Sequence, residues 1–306
     1  MSDSPPAGRW MTSKVPRPLP ALGDAEGARL PSSLPPVIDA HVHLFPDRMF
    51  DAIWRWFEKN AWPIRYRLYS EQVMAFLFER GVQNIIALHY AHKPGMSAAL
   101  NAYVADLARR EPRVIGFATA FPGEDGADQI LRQAFSLGLR GVKLHCHVQA
   151  FAPDDPRAEP IYRTCAEENR PLLMHAGREP SIPEYPVDPY LLCDVDRVEE
   201  VLRAYPKLRL CIPHLGANEE KGYARLLQRY DNLWLDTTMA VSGFFPTPAE
   251  AGVIRTRPDR VMYGTDFPNL PYAWDRELKQ LLALGLTETQ LAGVLGGNAQ
   301  AFVGTP

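Results

Sequence analysis

The sequence predicts a (β/α)8 TIM barrel with an N-terminal arm and an aromatic-rich insertion after the first strand. Eight short apolar runs follow residue 36, and a helical pattern separates most runs from the next. Histidine and aspartate residues collect at the ends of these runs, and a barrel gathers its strand ends at one face. The length of 306 residues suits one barrel of this kind.

The eight apolar runs are the predicted strands. They comprise residues 36–43, 84–90, 113–121, 140–147, 171–177, 208–216, 232–238 and 260–268. An open, doubly wound sheet would show the same alternation of strands and helices. The count of eight favours the barrel, and so does the lack of a G-x-G-x-x-G turn after an early run.

Helical spacing of apolar residues predicts the connecting helices. These helices cover residues 70–80, 97–110, 126–137, 157–169, 194–205, 219–230, 247–256, 274–284 and about 287–302. Ser70 is the expected N-cap of the first helix, and Gly81 is its expected end.

The chain divides into an arm and a barrel domain. Residues 1–36 are rich in proline, serine, glycine and alanine, which predicts an extended or disordered arm. Trp10 and Met11 could anchor this arm on the barrel or on a neighbouring subunit. Residues 37–306 form the predicted barrel domain.

Composition excludes several classes of protein. The formal net charge is -3, which lacks the basic footprint of a nucleic-acid binder. No stretch of 18 apolar residues predicts a membrane span, and no apolar leader opens the chain, so we expect a cytoplasmic protein. None of the four cysteines forms a C-x-x-C pair, and we expect Cys146 and Cys211 to be buried thiols.

Five of the eight runs end in histidine or aspartate. These residues are His41, His43, His145, His147, His175, His214 and Asp266. Residues i and i+2 of a strand share a face, so His41 and His43 project together, with Asp39 below them. A single such histidine is more often a hydrogen-bonded interior residue than a metal ligand. Five strand ends at one level favour a shared cation, since otherwise each polar group needs its own partner.

Four segments carry a family resemblance. The motifs IDAHVHLF (38–45), LLMHAG (172–177), IPHLG (212–216) and MYGTDFP (262–268) resemble the amidohydrolase superfamily. They are most similar to its amidohydrolase-related branch, which includes aminocarboxymuconate-semialdehyde decarboxylase and related acid decarboxylases and lactonases. The closing segment VLGGNAQAFVG (294–304) resembles the last helix of that branch.

The resemblance implies one divalent metal ion held by His41, His43, His175 and Asp266. Three imidazoles and one carboxylate suit Zn²⁺ best, with Mn²⁺, Fe²⁺ or Co²⁺ as alternatives. His214 and Asp266 would be catalytic, since both would lie beside the metal-bound water or the substrate. We expect a small-molecule substrate, and two chains could pair as a homodimer.

The resemblance leaves the roles of three further residues open. Lys143 would be carboxylated and bridge two metals in some superfamily members, or it would be an unmodified interior cation paired with a carboxylate; we favour one metal. His145 would contact the substrate or support the metal ligands, and His147 is expected in a loop or at the rim.

Arg178 follows the fifth run and has two interpretations. Its guanidinium could bind a substrate carboxylate in a forked geometry, or it could form a surface salt bridge with Glu179 or Glu184. We place Lys143, His145 and Arg178 together as the expected substrate-binding residues.

Two long segments are expected to cover the barrel mouth. Residues 44–69 hold eight aromatic side chains, which predicts a lid over a planar or apolar substrate, a helix packed on the barrel rim or a dimer contact. Residues 178–193 form a second, proline-rich loop over the same face.

We expect a metal-dependent hydrolase that activates a metal-bound water against the carbonyl (lactone, ester or amide) of a small, carboxylate-bearing substrate. The alternative is a metal-dependent, non-oxidative decarboxylase of an aromatic or muconate-like acid, because both reactions use the same residues. A barrel that only binds its ligand is disfavoured, because every ligand position of the motif set is filled.

Overall fold

The computed structural model describes residues 21–244 and 252–304. Within them, eight parallel strands form one sheet in which each strand pairs with the next along the chain. The strands are β1 (Ile38–His43), β2 (Asn84–Leu88), β3 (Val114–Ala118), β4 (Gly141–His145), β5 (Leu172–His175), β6 (Leu210–Ile212), β7 (Leu233–Asp236) and β8 (Val261–Met262). This order confirms the predicted TIM barrel.

The barrel closes where the chain after β8 meets β1. Val42 and Phe267 form a parallel bridge, and the backbone N–H of Asp266 donates to the carbonyl of His41 at 2.9 Å. Gly264 permits this approach, because a Cβ at that position would lie 2.9 Å from the Cβ of His41 and 2.4 Å from the Thr238 hydroxyl oxygen. Closure therefore places the last strand's polar end against the first strand's histidines.

The helices follow the predicted order. They are α1 (Asp47–Asn60), α2 (Ser70–Glu79), α3 (Ser97–Arg110), α4 (Ala127–Ser136), α5 (Cys146–Gln149), α6 (Glu159–Glu167), α7 (Pro189–Leu192), α8 (Val195–Ala204), α9 (Glu220–Arg229), α10 (Gly252–Thr256), α11 (Arg276–Leu282), α12 (Glu288–Ala292) and α13 (Asn298–Val303). The first part of the helix predicted at 247–256 lies outside the described residues. None of the described helices is long and apolar enough to cross a membrane.

The first and the last predicted helices differ from the prediction in their caps or continuity. Ser70 is the first residue of α2 rather than its N-cap, and its hydroxyl donates to the carbonyl of Phe45 at 3.0 Å. Tyr69 takes the cap position, where its backbone N–H donates to the side chain of Gln72. The closing helix is not continuous, because a π-helical turn at Gly293–Gly297 separates α12 from α13.

Part of the predicted arm lies on the barrel. Residues 21–36 contain turns but neither helix nor strand. The indole N–H of Trp274 donates to the carbonyl of Gly27 at 3.0 Å, and Arg65 pairs with Glu26 at 3.1 Å. Trp10 and Met11 lie outside the described residues.

The barrel interior is a closed apolar layer below the polar strand ends. Side chains from the strands fill it, and α13 covers its lower end with Phe302, which is fully buried. The ring centroid of Phe302 lies 5.6 Å from that of Trp234 and 6.3 Å from that of Phe117. This plug lies at the end of the barrel opposite the histidines.

Replacing Phe302 with alanine is expected to lower the free energy of unfolding by about 3–5 kcal/mol, because it leaves a cavity between barrel and helix. Chemical denaturation would measure this change. Leu137→Ala, at a position that is 50% exposed, should change the same quantity by only about 0.5 kcal/mol or less. Equal effects of the two substitutions would contradict the assignment of Phe302 as a structural plug.

Candidate metal centre

Three predicted ligands meet at the barrel mouth. His41 and His43 end β1, and Asp266 follows β8; all three are buried, and their ligand atoms lie within 4.8 Å of one another. Nε2 of His43 lies 3.0 Å from Oδ1 of Asp266, and Nε2 of His41 lies 3.4 Å from the same oxygen. Two imidazole nitrogens and a carboxylate are a donor set that suits a divalent transition metal.

The electrostatics of this group favour its metal-binding protonation state. Burial, and next the charge of Lys143, hold the pKa of His41 well below its usual range. Burial opposes ionisation of Asp266, but the hydrogen bond from His43 and the charges of His43, His41 and His214 together outweigh it, so the pKa of Asp266 lies below its ordinary value. A neutral imidazole and an ionised carboxylate are the forms that coordinate a cation. Nδ1 of His43 is buried and has no hydrogen-bond partner among the described residues.

Asp236 is a candidate site residue that the sequence analysis did not single out. It ends β7, and its Oδ2 accepts a hydrogen bond from Nδ1 of His41 at 2.9 Å, which leaves Nε2 of His41 directed at Asp266. Its Oδ1 accepts from the backbone N–H groups of His214 and Thr238 at 3.0 and 3.2 Å. The sequence did contain a signal for this residue, because Asp236 lies near the end of the seventh apolar run as Asp266 lies near the end of the eighth.

His175 lies in a second histidine group rather than beside Asp266. Its ligand atom is within 4.8 Å of those of His145 and His147, and its ring stacks on His145 with centroids 4.2 Å apart. His214 lies between the two groups. Its Nε2 is 3.1 Å from Nδ1 of His175, and its ring centroid is 5.6 Å from that of His41. The structure thus brings together three of the four predicted ligands. The side chain of His214 separates the fourth, His175, from them.

The second histidine group is closed to solvent. His147, which we expected in a loop or at the rim, is fully buried in α5, and that expectation was wrong. Its Nε2 donates to the carbonyl of Gly177 at 2.8 Å. Burial, and then the neighbouring imidazoles, hold the pKa values of His145 and His175 well below their usual range, so both rings are neutral.

Two of the candidate catalytic residues have constrained backbones. His214 has φ of 57° and Asp266 has φ of 78°, in the left-handed region that side chains other than glycine rarely adopt. Hydrogen bonds hold both: Asp236 accepts from the N–H of His214, and the N–H of Asp266 donates to His41. Such strain persists where the surrounding structure over-determines a conformation, which is common in active sites.

Lys143 lies beside the first group. Its Nζ is 3.2 Å from Nε2 of His41, and burial lowers its pKa to about 8, against the opposing charges of Asp236 and Asp266.

Asp39 does not face the histidines. A register shift follows it in β1, and its carboxylate accepts from the hydroxyl of Thr265 at 2.6 Å.

Arg178 is occupied by partners other than those we expected. Its guanidinium forms an ion pair with Asp194, and its Nε lies 3.4 Å from Glu219. Neither Glu179 nor Glu184 pairs with it. Because two carboxylates already hold Arg178, the structure gives no support to its binding a substrate carboxylate.

A cavity of about 420 Å³ lies next to the histidines, since its lining residue Tyr90 contacts both His43 and His145. Its walls come from α1, from the chain after β2, from α5 and from the loop at 184–186. The lining residues are Met49, Ala52, Ile53, Trp56, Phe57, Tyr90, His92, Met96, Val148, Glu184, Tyr185 and Pro186. The insertion after β1 therefore forms a wall of the cavity, and Trp56 meets Tyr185 of the second loop with ring centroids 5.2 Å apart.

The amidohydrolase family profile matches residues 38–305. The chain belongs to the amidohydrolase family. The match begins at β1 and includes every histidine and aspartate of the two groups described above. No curated protein sequence matches the chain significantly.

Solved structures of low sequence identity share the fold of this amidohydrolase. An uncharacterised TIM-barrel protein from Bordetella bronchiseptica is 21% identical, with a TM-score of 0.67 over 88% of this chain and 99% of that one. A 5-carboxyvanillate decarboxylase from Novosphingobium aromaticivorans, bound to manganese and 4-hydroxy-3-methoxy-5-nitrobenzoic acid, is 17% identical, with a TM-score of 0.63 over 91% and 99%. A 2,6-dihydroxybenzoate decarboxylase from Rhizobium is 15% identical, with a TM-score of 0.60 over 88% and 99%.

Replacing Asp236 with asparagine is expected to weaken divalent-metal binding roughly 10–100-fold, because the ring of His41 loses the carboxylate that orients it. A competition titration against a chromogenic chelator would measure the affinity. The control is Asp231→Asn, which makes the same change at a carboxylate that is 85% exposed. If both variants bound metal as tightly as the parent protein, Asp236 would have no role in orienting His41.

Proposed function

We propose that this amidohydrolase is a metal-dependent, non-oxidative decarboxylase of a small aromatic acid. The observation that carries the proposal is an aromatic cavity next to the candidate ligands: Tyr90 lines it and packs edge-on against His43, with ring centroids 5.7 Å apart. The solved structures of similar fold support it, because several are decarboxylases of hydroxylated benzoic acids.

The metal in this proposal is one divalent ion held by His41, His43 and Asp266. His175 remains the predicted fourth ligand. When bound there, the ion would act as a Lewis acid towards the oxygen atoms of the substrate. Zn²⁺ is the ion that the donor set suggests, and the manganese in the similar decarboxylase makes Mn²⁺ the second ion to test.

His214 is the proposed proton donor. Decarboxylation breaks the bond between the ring carbon and the carboxylate, CO₂ leaves, and the electron pair left on the carbon takes up one proton. Nδ1 of His214 lies 2.8 Å from the carbonyl of Thr238, which can only accept, so Nδ1 donates. Nε2, 3.1 Å from Nδ1 of His175, would take up a second proton from solvent and pass it to the ring carbon as CO₂ leaves. Asp236 holds the backbone of His214 in place. We assign Lys143 and His145 to the polar floor beneath the substrate.

The hydrolase that we expected from the sequence uses the same residues. Decarboxylases among the similar structures favour carbon–carbon cleavage over attack on a carbonyl, so we now rank the decarboxylase first. A homodimer remains a prediction, since only one chain is described.

The reaction is tested with metal-loaded protein and a panel of hydroxybenzoic acids that includes 2,6-dihydroxybenzoate and 5-carboxyvanillate. We expect CO₂ release from at least one acid, and we expect His43→Ala or Asp266→Ala to reduce it at least about 100-fold, since each substitution removes a ligand of the ion. Asp231→Asn should retain full activity.

Hydrolysis of a lactone or ester panel, without CO₂ release from any acid, would overturn the decarboxylase in favour of the hydrolase. Activity that survives complete chelation would overturn the claim that the reaction needs a divalent metal ion. Metal content is measured alongside, so that a loss of turnover can be assigned to loss of the ion or to loss of a catalytic group.

A further inference from the structure

The cavity over the histidines selects for charge as well as for shape. We propose that it is a subsite for the uncharged part of a substrate with a single carboxylate, and that Glu184 at its edge excludes substrates with a second anionic group. This inference rests on the proposed function, in which the first carboxylate is directed at the metal ligands.

The walls of the cavity are apolar. Met49, Ile53 and Trp56 project from α1, and Val148 comes from α5 on the other side. A volume of about 420 Å³ accommodates a single-ring acid and lies within the range of small-molecule sites. Such walls favour a ring or hydrocarbon through the removal of apolar surface from water.

Two tyrosines of the cavity wall contact the histidines. Tyr90 contacts His43, and its ring centroid also lies 4.9 Å from that of His145. Tyr185 lies 5.1 Å from His147, measured between ring centroids. A ring held between these tyrosines would therefore have one edge at the candidate metal ligands and its far edge among the side chains of α1 and the loop at 184–186.

No cation is available at the far edge. None of the lining residues in the described part of the chain is lysine or arginine, and the only acidic one is Glu184. Glu184 has no ion pair or hydrogen bond with any residue in 21–244 or 252–304, so its charge is not neutralised within that part of the protein. Arg178, on the same loop, is held by Asp194 and Glu219.

A second carboxylate at the far edge would thus meet an apolar wall and an unpaired negative charge. Burying an anion without a partner costs free energy, and the like charge of Glu184 adds to that cost, although solvent screens it because Glu184 is exposed. A neutral edge, or one with a hydroxyl group that can donate to Glu184, meets neither penalty.

The test compares binding of benzoate and isophthalate, which differ by one carboxylate. Isothermal titration of the manganese-loaded protein measures both dissociation constants without any need for turnover. We expect benzoate to bind at least roughly tenfold more tightly than isophthalate. Glu184→Gln should reduce this ratio, and Glu184→Lys should reverse it. The matched control is Glu200→Gln, a substitution with the same change of charge at an exposed position of α8, which should leave the ratio unchanged.

Three results would overturn the inference: equal affinity for the two acids, a ratio that Glu184→Gln and Glu184→Lys do not change, or no binding of either acid at 10 mM (about a hundredfold excess over protein). Trp56→Ala provides a second check, since it should weaken benzoate binding without favouring isophthalate. Selective benzoate binding together with no CO₂ release from any acid would refute the proposed reaction and leave the subsite intact, so the two proposals fail separately.

Discussion

The site depends on the closure of the barrel between its last and first strands. The backbone of Asp266 donates to His41, and Phe267 bridges to Val42, so a residue 225 positions along the chain comes to lie against the first histidine pair. Gly264 keeps this junction tight, because any side chain there would strike His41. Backbone pairing therefore brings the ligand group together, and the Asp39 carboxylate, which accepts from the Thr265 hydroxyl, also spans the junction.

A second constraint acts on the orientation of the rings. A histidine at a strand end can rotate, and only a hydrogen bond to one nitrogen decides which way the other nitrogen points. Asp236 supplies that bond to His41 and also holds the backbone of His214 in an unfavourable conformation. The buried carboxylate of Asp236 therefore orients both a candidate ligand, His41, and the proposed proton donor, His214. Burial raises the pKa of Asp236.

The mouth of the barrel combines a polar floor with an apolar roof. The histidines and carboxylates form the floor, and the aromatic side chains of α1 and of the loop at 184–186 form the roof, joined by the contact between Trp56 and Tyr185. This division suits a substrate with one charged edge and one uncharged edge. Arg178 does not line the cavity; its guanidinium pairs with Asp194 and Glu219 and so holds the second loop in place.

The sequence by itself determined the barrel, the helices that connect its strands and most of the strand ends that carry polar groups, but not the short helices α5 and α7. Apolar periodicity is a local property, which is why the connecting helices could be predicted. The sequence also placed His41, His43 and Asp266 together, since the ends of parallel strands meet at one face. Only the tertiary structure decided that His175 lies with the second histidine group and that Asp236 orients His41. Both outcomes depend on side-chain rotation, which no spacing along the chain encodes, although the position of Asp236 at the end of the seventh run was visible in the sequence.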